Sequence, residues 1–519
     1  MKIIPCGFRT RLFSACSLIL TAAALLGPPP ASAQPIPTFL TEQGGADLTN
    51  SNLGQSALAI QRTCAQLIGL NAIDPLTGSP LELFLRCGEL VHTADSLNPS
   101  PIGLPRTLGY SDPDELLAGF QQVNGEEVQA TANMAQNASY DQFSSIAARL
   151  GALRGVTSAS VTSVAATGTE FMFGSGGGAA ADDAGLPFGP WGWFFRATFT
   201  TGDRDPSNPI AFIGEENGFD FDQYGLTIGI DHLSGPVVWR IALTYSSYEV
   251  EMINRSTAAN TQTNVVDGGE IEADSVNGSF FYDHTGQNNV YFSALAGYGA
   301  QSFDMARNFI YFAPNPGASN VVDQQRELIA APDGDSVAAS LTLGRTINRG
   351  SWIIDPHIGV TYDRVTIDRF TEVDSGNLTM GQMATEAMHL AFDKQEIDSL
   401  RATIGIQFSN NVNTSFGSVR PTFSADWYHE FEDDPRVIKV KYALEDQLAG
   451  QGSFITGFDG CVSCFSLTSE APDSDFFVVG AGVAAAFRSG FQAFLMFEAL
   501  LGYENLDAYA VTLGLRGQF

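Results

Sequence analysis

The sequence predicts a membrane all-β fold, a 12-stranded antiparallel transmembrane β-barrel, preceded by a small helical exported domain. Three observations predict it. From residue 188 onward, apolar side chains recur at every second position in twelve separate stretches, the period of a strand with one oily face. Short and long connections alternate between those stretches, as they do between the two ends of a membrane barrel. The last stretch puts Tyr509, Val511, Leu513, Leu515 and Phe519 on one face. Closing such a strand into a barrel inside lipid removes an edge that would otherwise aggregate.

A mean hydropathy of +0.02 would suit a soluble protein. It also suits a barrel, whose lipid face takes only alternate residues. The net charge of −31 excludes a nucleic-acid partner, since nothing here neutralises a phosphate backbone. Residues 1–33 read as a secretory signal. Lys2, Arg9 and Arg11 precede an apolar Leu18–Leu26 centre, and Ala31-Ser32-Ala33 places cleavage between Ala33 and Gln34. That centre is too short to span a bilayer. The exported chain then keeps Cys64, Cys87, Cys461 and Cys464, which an oxidising compartment joins as disulfide candidates, Cys64 with Cys87 and Cys461 with Cys464.

Residues 34–137 form the exported unit. Its first residues, to about 50, are rich in Pro, Thr, Gly and Asn and read as flexible. Gln55–Leu70 and Leu81–Ala94 carry helical spacing, so a Cys64–Cys87 bridge would clip a hairpin across residues 74–78. Asp112, Pro113, Asp114 and Glu115 supply a cap, a first-turn proline and acids for a third helix running toward Met134. Residues 138–187 follow as a small-residue segment, fit either to thread a narrow lumen or to serve as a low-complexity linker.

In the barrel, 188–519, the oily faces run as follows. The first four are Trp193 to Phe199, Tyr224 to Ile230, Val237 to Tyr245 and Val276 to Tyr282. Next come Val290 to Tyr298, Val337 to Leu343, Trp352 to Tyr362 and Leu400 to Phe408. Val419 to Trp427, Phe477 to Phe487, Phe491 to Tyr503 and Tyr509 to Phe519 complete the twelve. The opposite face carries Arg196, Arg240, Asp355, Arg401, Arg420, Asp426, Arg488, Glu498 and Arg516, together with Asp231, Asp283 and Asp363. Charges facing lipid are costly, so these line the lumen, as selectivity rings or as a clamp on a plug. Trp191, Tyr245, Trp352, Tyr362, Trp427 and Tyr503 sit near strand ends, where interfacial aromatics belong. Asp203, Asp205, Asp333 and Asp335 read as solvated loop residues.

A cleavable signal, an exported region, a small-residue linker and this strand array together resemble bacterial autotransporters of type V secretion. The likeness rests on Trp191-Gly192-Trp193, the Gly218–Asp222 run, Tyr224-Gly225, Gly229-Ile230-Asp231 and Leu513–Phe519. Gly517 departs from the family, which usually carries an aromatic or aliphatic residue there. The resemblance implies a monomeric barrel in outer-membrane lipid, with its C-terminal strand as insertion signal. It also implies assembly by the barrel-assembly machinery and periplasmic chaperones, a linker in the pore, and residues 34–137 displayed at the cell surface. Self-cutting members use an Asn-Asn junction; none occurs between 138 and 187, so the unit stays attached. Two alternatives remain: a diffusion or uptake barrel with a periplasmic or plugging N-terminal domain, and a surface-anchored hydrolase. The exported region has no nucleophile motif and only His92 as a histidine, so no enzyme, metal or cofactor is expected. Cys461-Val462-Ser463-Cys464 lacks the further ligands of a zinc site.

Overall fold

The computed structural model describes residues 35–99, 101, 108–110, 112–130, 190–205, 218–252, 269–312, 322–375, 387–487 and 491–518. The signal, the 138–187 segment, Arg488 and Phe519 lie outside these residues. Twelve long antiparallel strands form the barrel. They are β1 Trp191–Arg204, β2 Phe219–Ser234, β3 Val237–Met252, β4 Glu270–Thr285, β5 Val290–Phe312 and β6 Asp333–Arg345. β7 Trp352–Ile367, β8 Gln395–Asn410, β9 Gly417–Glu430, β10 Asp475–Phe487, β11 Phe491–Leu501 and β12 Leu506–Gln518 follow. Each pairs with its chain neighbour, and β12 pairs with β1 from Gly192↔Gln518 to Arg204↔Leu506, which closes the sheet. Closure leaves the barrel no open edge for other chains.

The outward face in the middle of the barrel is apolar and exposed: Ile228 and Ile230 on β2, Ile241 and Leu243 on β3, Leu513 and Leu515 on β12. On β3 this band runs from Val237 to Tyr245, the roughly nine residues a tilted strand needs to cross hydrocarbon. Aromatic side chains bound it at both ends. Near the short turns, Trp191 packs edge-on to Trp239 with ring centroids 5.3 Å apart. At the long-loop side, the hydroxyls of Tyr245 and Tyr362 donate to Asp274 and Asp398, each at 2.6 Å, and the Trp427 Nε1–H donates to Asp475. Rings in the apolar layer with polar tips reaching out of it mark the interface.

Every barrel strand expected from the sequence is present, but several extend further toward the long-loop end, because the polarity pattern inverts there. On β3, Arg240, Ala242, Thr244 and Ser246 face the lumen, and then Tyr248, Val250 and Met252 continue the same buried face. Outside, Glu249 and Glu251 replace the oily residues. β2 and β4 invert likewise, with Phe219, Phe221, Ile271 and Ala273 inside and Asp220, Asp222, Glu270 and Glu272 outside. The level of inversion is the top of the lipid band. Asp203 is also part of this rim, on β1 and not in a loop.

The helices cover that end. α1 spans Pro35–Asn50, α2 Asn52–Ile73, α3 Ser79–Leu97 and α4 Pro113–Gln121. Residues 34–50, expected to be flexible, are thus helical from Pro35, with a kink at Gly45 (φ 65°). Burial decides the outcome, since Ile36, Phe39 and Leu40 share one face and are fully enclosed. Asp112 caps α4 by accepting from the Glu115 N–H at 3.0 Å. The helix stops at Gln121, short of the expected Met134, and Asn124-Gly125 turns the chain, with Gly125 at φ 74°. The long loops carry a small sheet the sequence pattern did not suggest, built from Phe370–Thr371, Leu390–Phe392, Val437–Tyr442 and Phe465–Thr468. Helices, small sheet and the inner rim of the barrel share one continuous apolar core, from Phe39 and Ile60 through Leu390 and Val440 to Val250, Phe303 and Ile367.

Candidate functional site: the lumen and its mouth

Below the inversion level, the lumen is wired by buried polar pairs. Arg516 on β12 grips Asp231 on β2 with two donors, Nη2 at 2.8 Å and Nε at 3.2 Å, across the β12–β1 seam. Asp231 also stands opposite Arg240 in register, and Asp231 is fully buried. Arg401 donates to Asp363 at 2.6 Å, and His357 Nε2 lies 3.0 Å from Asp426. Asp355 accepts from the Tyr291 hydroxyl at 2.6 Å and from Thr346 at 2.9 Å, while Asp283 accepts from Ser293. Arg196 donates to Thr512, and Arg420 to Asn411. Such pairs need mutual satisfaction to be tolerated in a low-dielectric interior.

Of the nine lumen charges expected, eight therefore face inward among the described residues, and Arg488 lies outside them. The structure brings Arg401 to Asp363 and Arg516 to Asp231. Glu498 and Arg196 face a cavity of about 190 Å³ between the polar lumen and the apolar mouth, shared with Arg204, Arg401 and Glu430. Sequence reasoning missed Tyr291, Thr346, His357 and Thr512 as partners. Their signal was there in part, since each occupies a small or polar position of the alternating pattern, but pairing requires the register.

The cysteines form two bridges, Cys64–Cys87 with Cα atoms 5.7 Å apart and Cys461–Cys464 with 5.2 Å. The first clips α2 to α3. The second closes a loop held from both sides: Glu445 accepts the Val462 and Ser463 amides at 2.8 Å, and Arg62 on α2 donates to the carbonyls of Val462 and Cys464. Further ties join helices to barrel loops. Asn52 exchanges hydrogen bonds with the Thr468 backbone, Gln129 donates to the Thr468 carbonyl, and Arg307 on β5 donates to the Gln122 carbonyl.

On β12, Tyr509, Val511, Leu513 and Leu515 all face outward, exposed to the lipid band. Gly517 continues that face. A side chain there would meet the Trp193 ring, whose nearest atom is 2.6 Å from an added Cβ. Trp193 and Phe491 flank Gly517 in register from both sides, their ring centroids 6.3 Å apart. The neighbouring strands thus cover the position with rings the last strand lacks, an aromatic-over-glycine arrangement.

A profile of the autotransporter β-domain matches residues 213–498, more than half of the chain. The chain belongs to the autotransporter β-domain family. Three solved barrels are similar to it in outline. The translocator domain of the autotransporter NalP from Neisseria meningitidis is 13% identical, over 66% of this chain and 92% of that one, with a TM-score of 0.42. The β-domain of the Bordetella autotransporter BrkA is 15% identical over 63% and 99%, with a TM-score of 0.38. The toluene transporter TbuX of Ralstonia pickettii is 10% identical over 66% and 94%, with a TM-score of 0.36. No curated protein matches the chain. Family membership rests on the 213–498 match. This autotransporter barrel is embedded in the outer membrane, and the barrel domain itself is not catalytic.

Proposed function

We propose that this autotransporter barrel carries residues 34–137 to the cell surface and keeps them there, uncleaved and seated on its own mouth. One observation carries the reading. Gln129 bonds the long-loop sheet, whereas Pro190 accepts from the Leu233 amide beside the short turns, so the described chain leaves one end of the barrel and re-enters at the other. Residues 138–187 must connect the two. Their small, polar composition suits the lumen and not lipid. In outer-membrane barrels the long-loop end faces the exterior, so the helices are on the outside.

Residues 1–33 act as the cleaved signal, with Ala33 and Gln34 at the cut. The C-terminal strand, ending in Phe519, is the segment read by the assembly machinery, and periplasmic chaperones escort the monomeric barrel there. The exported unit is a non-enzymatic module. An epitope inserted in the exposed 74–78 turn tests the reading directly. Antibody binding to intact cells is expected; binding only after permeabilisation would overturn display.

A further inference from the structure

We propose that Glu127, Arg307 and Glu372 form a proton-gated clasp, which holds the N-terminal unit on its barrel and releases it when Glu127 ionises. Arg307 extends from β5 above the lipid band. Its Nε and Nη2 donate to the two oxygens of Glu372 at 2.8 and 2.5 Å, and its Nη1 donates to the Gln122 carbonyl at the end of α4 at 2.8 Å. Glu372 also accepts the Leu390 amide. One guanidinium thus already has a full carboxylate partner. Glu127, five residues past Gln122, enters the same seam and is buried, and its Oε2 has no hydrogen-bond partner among the described residues. Around it stand Val128, Ile271, Met305, Leu328, Ala330 and Phe370.

Two carboxylates share one cation in an apolar seam. Protonated, Glu127 costs far less there than ionised, when it is a surplus charge that water would hold far better than this wall does. Undocking the unit exposes Glu127 to water, so ionisation and release are linked. Other titratable groups stand near the seam. Asp374 is held by Arg326 with His389 Nε2 3.4 Å away, and Tyr442 is enclosed in the loop sheet. Burial lowers the His389 pKa from 6.5 and raises that of Tyr442 above its usual 10, so both stay neutral near and above pH 7.

Burial pushes the Glu127 carboxyl up from 4.5 to about 7. The sign follows: a raised acid pKa in the seated state makes the contribution full below pH 4.5, and the contribution is lost as pH rises through about 7. Between those two values the released state has given up a proton that the seated state keeps, so seating weakens about tenfold per pH unit. Above about 7 both states are ionised and the loss levels off.

The clasp rests on the seated unit proposed above, but not on which compartment the mouth faces, so its failure would leave surface display standing. The test uses the full-length protein in detergent. Proteinase K cleavage within residues 35–130 is followed from pH 5 to 8.5, normalised to a denatured substrate, with barrel integrity read from heat-dependent electrophoretic mobility. Cleavage of the wild type is expected to rise at least tenfold between pH 5 and 7 and to level off above that, while Glu127→Gln stays flat. Glu372→Gln is expected to stay protected at pH 8.5, because Arg307 is then left to pair with Glu127. A pH-independent wild type, a Glu127→Gln protein with an unchanged rise, or a Glu372→Gln protein that loosens like the wild type would overturn the clasp.

Discussion

Up to Ser246 the inner wall of β3 mixes polar Arg240, Thr244 and Ser246 with Val238 and Ala242, and above it the same wall is oily throughout, although the strand never breaks. The lower lumen holds Arg516–Asp231 and His357–Asp426, and Arg401–Asp363 lines the cavity at its upper limit. The mouth holds Tyr248, Val250, Ile271, Phe303 and Ile367, all packed into the core of the helices. The difference teaches where each region's stability comes from. Within the membrane, hydrophobic burial is satisfied by lipid, so the interior is free to hold charges that pair across the sheet. Above the membrane water wets the outside, and the wall turns its apolar side inward, where only a protein partner can cover it. The N-terminal helices and loop sheet are that partner.

Four substitutions break or sharpen this contrast, in falling order of effect. Arg516→Met leaves Asp231 buried without its bidentate partner and is expected to cost about 3–5 kcal/mol. The barrel should unfold at a lower temperature in heat-modifiability gels, and an unchanged barrel would mean that the lumen pairs carry little stability. Ile271→Ala, in the mouth, is expected to cost about 2–5 kcal/mol. Here the unit at 35–130 should become protease-sensitive while the barrel transition stays put; a shift in both would show that the two regions are one cooperative unit.

Trp193→Ala removes the ring over Gly517 and is expected to cost about 0.5–1.5 kcal/mol, again on the barrel transition alone. The smallest effect has the opposite sign. On the outer rim, Asp222, Glu249, Glu272 and Asp304 stand in successive register on β2 to β5, like charges directly opposite one another. Glu249→Gln is expected to stabilise by about 0.2–1 kcal/mol, with the gain fading at high salt. No gain at low salt would mean that the rim carboxylates do not repel.

The period-two pattern made the twelve strands legible, because the lipid band enforces strict alternation over the residues that cross it. It also hid their upper ends. Tyr248, Val250 and Met252 alternate as well as Ile241, Leu243 and Tyr245 do, but in the opposite phase, so a reading that fixes the oily side as outward stops at Tyr245. The four-stranded loop sheet was illegible for another reason. Its members, such as Phe370–Thr371 and Leu390–Phe392, run for two to six residues and are paired across long separations, too short for periodicity to register. The lumen site was half legible. Arg516 and Asp231 each stood on the polar face in sequence, whereas their meeting depends on closure of the first strands against the last.

The ring over Gly517 gives that closure a visible signature. Until β1 arrives, the terminal strand has a notch in its lipid-facing side; once the two extremes of the sheet meet, Trp193 fills it. In a variant that keeps Trp193 as its sole indole, fluorescence therefore distinguishes a zipped cylinder from an open one, even when both contain the same number of hydrogen-bonded strands.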